Sequence, residues 1–202
     1  MDGVAVVALA LFAAFGVFGF GWRSWLQYRR TGSTGFRRIR GGVTEWVAGA
    51  GFAVALAVAA SAPILQLCHV VAPLRALTAG WIQYVGIVVA ILGIAATVYA
   101  QLEMGDSWRI GVDERETTSL VRTGVFRQVR NPIYTAMFTF GFGVTLVTPN
   151  PVACVGFILV VASIELQVRC VEEPHLLRTH GHAYRAYAAS TGRFVSGVGR
   201  IR

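Results

Sequence analysis

The chain has 202 residues, a one-domain length, with 55% hydrophobic and only 14% charged residues and a formal net charge of +8. That balance excludes an ordinary water-soluble domain. All 18 basic residues are Arg, and because no aromatic-interleaved basic motif accompanies them, nucleic-acid binding is not expected.

Four stretches contain no Asp, Glu, Lys or Arg: 3–22, 46–67, 81–102 and 131–164. Roughly 20 apolar residues cross a bilayer as a helix, so the first three predict one crossing each. The fourth would make a helix of about 50 Å at 1.5 Å per residue, too long for one crossing, and must fold back on itself. The expected fold is therefore all-α, an integral membrane bundle of about five transmembrane helices whose last two form a hairpin. Residues 1–102 hold three helices and an Arg-rich loop over 23–42. Residues 103–202 hold a polar segment (103–131), the hairpin (132–169) and a polar C-terminal helix and tail (170–202).

In chain order, the first helix runs over about 3–22. Met1-Asp2-Gly3 lacks the positive n-region of a cleaved signal and the apolar run is long for one, so it reads as a retained helix. Trp22 and Trp25 stand where an interfacial aromatic belt is expected. The second helix, about 44–67, has small residues at four-residue spacing, Gly49, Ala53 and Ala57 and again Gly51, Ala55 and Ala59, which permit close approach of helices and self-association. Pro63 is expected to kink or end it. The third helix, about 80–101, opens at Trp81 and Tyr84. Asn131-Pro132 starts the hairpin, with Pro in the first turn where its missing N–H costs nothing. Thr148-Pro149-Asn150-Pro151 is the turn between arms of about 132–147 and 152–169. Each arm is slightly short for a full crossing, which places the tip at or just inside the outer interface, buried by its neighbours.

If the loops alternate sides, all Arg except Arg75 fall on one face, the positive-inside pattern. That puts the N-terminus outside and the C-terminus in the cytoplasm, in an inner or plasma membrane. Cys68, Cys154 and Cys170 form no CxxC and are odd in number, so neither a zinc site nor a disulfide framework is supported.

Five helices and one-sided polar segments leave one candidate site, at the cytoplasmic ends of 103–134 and 165–194. Glu165, Arg169, Glu172 and Glu173 crowd the inner end of the last helix, with Arg169 and Glu173 at i, i+4 spacing on one face, a set suited to holding a cationic ligand and managing a proton. Arg130-Asn131-Pro132-Ile133-Tyr134 offers a helix N-terminus with unpaired N–H groups and a positive dipole end, which favours anions. Gly181-His182-Ala183-Tyr184-Arg185-Ala186-Tyr187 adds an aromatic face. His175, His180 and His182 match no standard ligand spacing, so no metal is expected.

These residues resemble the isoprenylcysteine carboxyl methyltransferase family and the related phospholipid methyltransferases. The resemblance rests on Leu120-Val121-Arg122-Thr123-Gly124-Val125-Phe126-Arg127-Gln128-Val129-Arg130-Asn131-Pro132-Ile133-Tyr134, then an apolar hairpin, then Glu172-Glu173-Pro174-His175-Leu176, the Gly181–Tyr187 block and Arg193, with Gly105-Asp106-Ser107-Trp108-Arg109 ahead of them. It covers about 100–195 and implies an S-adenosylmethionine-dependent membrane enzyme with a cytoplasmic cofactor pocket. By the same resemblance Leu120, Val121, Phe126, Asn131, Tyr134, Glu172 and His175 line the cofactor site, and Arg169 and Glu173 stand beside the acceptor. Asn131 departs from the His that the eukaryotic prenylcysteine enzymes more often carry; Asn keeps a donor but does not titrate near neutral pH.

The acceptor is expected to be lipophilic: an isoprenoid or prenyl-type carboxylate, or a lipid hydroxyl or amine. For a carboxylate, Arg169 orients the acceptor and Glu173 fixes Arg169; for a hydroxyl or amine, Glu173 becomes the base. Two other readings compete: a nicotinamide-dependent membrane reductase of related fold, and a non-enzymatic scaffold or small transporter. A transporter should carry charges at mid-membrane, whereas the helices here carry none before Glu165.

Overall fold

The computed structural model describes residues 2–34, 42–105, 108 and 120–201. Arg37, Arg38 and Arg40 of the Arg-rich loop, and Asp106, Ser107, Arg109 and the acidic stretch 113–116 of the polar segment, lie outside them. The described chain is helical, its one β-bridge a parallel contact between Val129 and Gly192. Helix α1 (Asp2–Phe15) passes through a π-helical segment (Gly16–Trp22) into α2 (Arg23–Thr31). Then come α3 (Val43–Leu67), α4 (Gly80–Met104), α5 (Pro132–Val147) and α6 (Pro151–Gln167). A second π-helical segment (Val168–Glu172) joins α6 to α7 (Glu173–Ser190).

Four helical runs are long and apolar enough to cross a membrane: Asp2–Thr31, Val43–Leu67, Gly80–Met104 and the one that begins at Pro151; Pro132–Val147 is a shorter apolar helix. The protein is an integral membrane helical bundle, with α7 as the polar extension beyond the α5–α6 hairpin.

Two tight pairs make the bundle, α4 against α5 and α3 against α6, and α1 packs on both. Lipid supplies no hydrophobic drive for helices to associate, so close van der Waals approach must do it. At Gly143 of α5 a Cβ would come within 2.4 Å of the Ala90 backbone nitrogen, and at Gly93 of α4 within 2.4 Å of the Phe140 nitrogen. Between α3 and α6, a Cβ on Gly156 would stand 2.6 Å from the Ala59 Cα. Of the two small-residue faces expected on the second helix, the one through Ala55 and Ala59 packs inward, while Ala53 and Ala57 are exposed. Phe15 of α1 stacks on Phe140 of α5, ring centroids 4.2 Å apart.

The hairpin tip lies inside the protein, as its short arms require. Asn150 is fully buried and caps α6 by accepting from the Ala153 N–H at 2.9 Å. Its amide also donates to the Gln66 side chain (3.1 Å) and the Ala62 carbonyl (3.2 Å) of α3.

Helix α3 spans the expected 44–67 almost to the residue and runs through Pro63. Two boundaries differ from expectation. The first helix does not stop at Trp22 but continues to Thr31, carrying Arg23 into a buried position. The last helix does not stop near 169. The π-helical turn carries it into α7, with Pro174 just past the turn.

Candidate active site

At the inner end of the hairpin the C-terminal tail folds back onto the start of α5. The Arg130 N–H donates to the Gly192 carbonyl at 2.8 Å and the Asn131 N–H to the Arg193 carbonyl at 3.1 Å. The Asn131 side-chain amide reaches the same carbonyl at 3.2 Å, and the Thr135 hydroxyl donates to the Phe194 carbonyl at 2.8 Å. Residues 129–135 and 192–194 are thereby held as one unit.

Glu173 ties this unit to α7. It is 6% exposed and takes two guanidinium groups. Arg193 donates from Nε to Oε1 and from Nη2 to Oε2, both at 2.8 Å, in the bidentate geometry that planar guanidinium and carboxylate groups favour. Arg130, also 6% exposed, donates to Oε1 at 2.6 Å and to the carbonyls of Ala188, Thr191 and Gly199. Burial pushes the Glu173 carboxyl upward, but the hydrogen bonds and charges of Arg193 and Arg130 outweigh it and hold the group below the usual carboxylate range.

This corrects the expected pairing of Arg169 with Glu173. Arg169 instead bonds Glu165, one turn back, and is largely exposed. Helical side chains lean toward the N-terminus, so the order Glu165 before Arg169 is the favourable i, i+4 arrangement and Arg169 before Glu173 the weaker one. Two arginines distant in sequence claim Glu173.

Beside Glu173, the half-buried Glu172 accepts from the Tyr134 hydroxyl at 2.5 Å and from the Gln167 amide at 3.5 Å. Tyr134 and Glu172, one from each motif block, thus meet across α5 and the π-helical turn. Leu120 packs with Leu176 and Leu177 against Tyr184, Tyr187 and Ala188. Phe126 is buried, and its carbonyl accepts the Tyr187 hydroxyl at 2.5 Å. Burial pushes both the Tyr184 and Tyr187 hydroxyls up to about 12. His175 is buried, 3.4 Å from the Thr179 hydroxyl, and Val121 is partly exposed beside Leu120. The expected residues therefore gather around the α5 start and α7, apart from Arg169, which is exposed and faces away from them.

The motif blocks contain Arg130, Tyr187 and Arg193 but do not foretell their bonds to Glu173 and to the Phe126 carbonyl, and Gln167 lies outside the blocks. The Arg-Asn-Pro start of α5 and the Tyr184–Tyr187 spacing were visible signals for two of them, but nothing local marks Arg193 or Gln167 as a partner of a glutamate.

The α5 start offers a helix-dipole end that can take an anion, Glu172 offers a carboxylate that can face a cation, and Leu120 belongs to an apolar cluster beside them.

Comparison with known proteins agrees with this architecture. The family model described as phospholipid methyltransferase matches residues 81–183. Two Arabidopsis thaliana proteins, protein-S-isoprenylcysteine O-methyltransferases A and B, are 30% and 29% identical over 112 and 120 residues, covering 54% and 58% of this chain. A probable protein-S-isoprenylcysteine O-methyltransferase from Oryza sativa is 28% identical over 110 residues, 54% of this chain. The chain spans 57–59% of the length of these relatives. The solved structure of a eukaryotic intramembrane Ras methyltransferase, isoprenylcysteine carboxyl methyltransferase, matches in fold with a TM-score of 0.60 at 19% identity, covering 96% of this chain and 67% of that one.

Proposed function

The chain belongs to the phospholipid methyltransferase family, and from that membership we propose that it is an integral membrane enzyme that transfers a methyl group from S-adenosylmethionine to a lipophilic acceptor. The observation that carries the reading is the Tyr134–Glu172 pair at the inner end of an apolar hairpin, beside a buried ionic cluster and an aromatic face.

The cofactor, when bound, supplies an activated methyl on a sulfonium that is its own leaving group, so the protein contributes orientation and electrostatics. Glu172, held by Tyr134 and Gln167, would face its positive charge. The α5 start would take its carboxylate, and Leu120, Val121, Phe126 and His175 would enclose the remainder. Glu173 works as an anchor. Both of its oxygens accept guanidinium N–H groups and its carboxyl is held ionised and strongly paired, which makes it a poor base and a good fixed strut between α5, α7 and the tail.

Arg169 stands at the membrane boundary with Glu165 holding its guanidinium, the place for an acceptor's carboxylate whose tail lies among the helices. A carboxylate needs no base, in keeping with Glu173 being occupied, and the relatives named above are O-methyltransferases. We assign the acceptor to the isoprenoid or prenyl-type carboxylates on these grounds. The Arg distribution orients the site toward the cytoplasm, with the N-terminus outside, in an inner or plasma membrane.

The test is methyl transfer from labelled S-adenosylmethionine, by protein purified in detergent, into prenylated thiol carboxylates, isoprenoid acids, phospholipids and quinol-type hydroxyls. Label in the carboxylates is the expected result. Calorimetry in which the protein binds a reduced nicotinamide but neither S-adenosylmethionine nor S-adenosylhomocysteine would sink the proposal in favour of a reductase.

A further inference from the structure

Arg23 is not what topology alone requires. A cytoplasmic Arg that only orients a helix lies exposed, as Arg29 and Arg30 do, whereas Arg23 is 1% exposed. Burying a guanidinium is costly unless it is well partnered. Its Nη2 donates to the Gly105 carbonyl at 2.6 Å, and its guanidinium lies 4.6 Å from the ring centroid of Trp108, itself 3% exposed.

The turn that Arg23 grips ends α4. Gly105 has φ 60° and ψ −138°, a backbone state open essentially to glycine, and its carbonyl also accepts the Trp108 N–H at 3.2 Å. Two residues earlier, the Glu103 carboxylate lies against Gly124, where a Cβ would come within 1.6 Å of Oε2. Gly124 has φ +56° and opens the short 3-10 turn Gly124–Arg127, whose Phe126 carbonyl is held by Tyr187. A second tie, from the Gln101 side chain to the Gly19 carbonyl at 2.8 Å, keeps the first helix against the same end of α4.

We propose that Arg23, on the first helix and outside the matched family region, is a positioning residue for the cofactor wall: by holding Gly105 and Trp108 it sets the α4 end against which Gly124–Phe126 is seated. The proposal rests on the reading of that wall as part of the S-adenosylmethionine site. Lys in place of Arg23 keeps a donor for the Gly105 carbonyl but loses the guanidinium over the Trp108 ring.

The test is amide hydrogen exchange on ligand-free protein in detergent, with S-adenosylhomocysteine affinity measured alongside by calorimetry. In Arg23→Ala, exchange at 124–127 should rise at least tenfold while the α5–α6 hairpin is unchanged, and affinity should fall tenfold or more. Arg23→Lys, the milder change, should show the same pattern at smaller amplitude, and Trp108→Ala should add little to Arg23→Ala because both break one contact. Unchanged exchange at 124–127 in both Arg23 variants, or loosening spread evenly over all helices, would overturn the proposal. Failure of the wild-type protein to bind S-adenosylhomocysteine would instead count against the methyl-donor reading, and the exchange pattern decides the coupling without it.

Discussion

The membrane half of this protein and its inner polar end are held together by opposite means. Among the helices, position is set by what is missing: at Gly93, Gly143 and Gly156 backbones meet because no side chain intervenes. At the inner end, position is set by charge, with Glu173 between Arg130 and Arg193 and the tail laced along the start of α5. Lipid offers neither a hydrophobic drive for helix association nor water to solvate an unpaired ion, so packing rules there, whereas ion pairs form where the chain leaves the bilayer. The contrast is sharpest between two ion pairs of the same chemistry. Glu173 and Arg130 are buried, Arg193 partly so, and the cluster is shared across three segments, while Glu165 and Arg169 share one helix and face outward.

The largest effect is expected where the buried cluster is broken. Glu173→Ala leaves two mostly buried guanidinium groups without their carboxylate and should cost about 3–5 kcal/mol in denaturant unfolding. The same group sharpens the comparison through pH. Its carboxyl is held below the ordinary range in the folded protein, so its contribution is fully present above the unfolded carboxylate pKa and is lost as pH falls through the lower folded value. Stability of the wild type should therefore decline in acid below about pH 4, and Glu173→Gln should flatten that part of the profile.

A smaller loss, about 1–3 kcal/mol, is expected from Gly143→Val, which forces α4 and α5 apart. Because no charge is involved, the loss should be the same at low and high salt, whereas the strength of the outward-facing pair should vary with salt. The smallest stability change belongs to Arg169→Ala, under about 1 kcal/mol for an exposed pair. If Arg169 receives the acceptor, the same variant should raise KM for a carboxylate acceptor by tenfold or more while leaving S-adenosylhomocysteine affinity intact; loss of cofactor affinity with an unchanged acceptor KM would reverse that assignment.

Much of the architecture was readable in advance because its causes are local. Uncharged runs marked each crossing helix, Asn131-Pro132 and Thr148–Pro151 marked the hairpin ends, and the two motif blocks named Tyr134 and Glu172, which the structure joins by a hydrogen bond. Helix ends were less readable. Trp22 looked like a terminus because Arg23 is charged, yet a buried Arg with a carbonyl and a Trp ring to meet does not end a helix. The small-residue pattern of α3 offered two equivalent faces, and only the position of Gly156 on α6 selects the one through Ala59.

Membrane residence and the count of apolar segments were thus determined by the sequence, since run length and local turn chemistry act over a few residues. Which arginine meets which glutamate was decided by the tertiary structure. Arg130 and Glu173 lie 43 positions apart and Arg193 and Glu173 lie 20 apart; a buried carboxylate takes the guanidinium groups that the fold brings to it, and helical spacing records only the neighbours along its own helix.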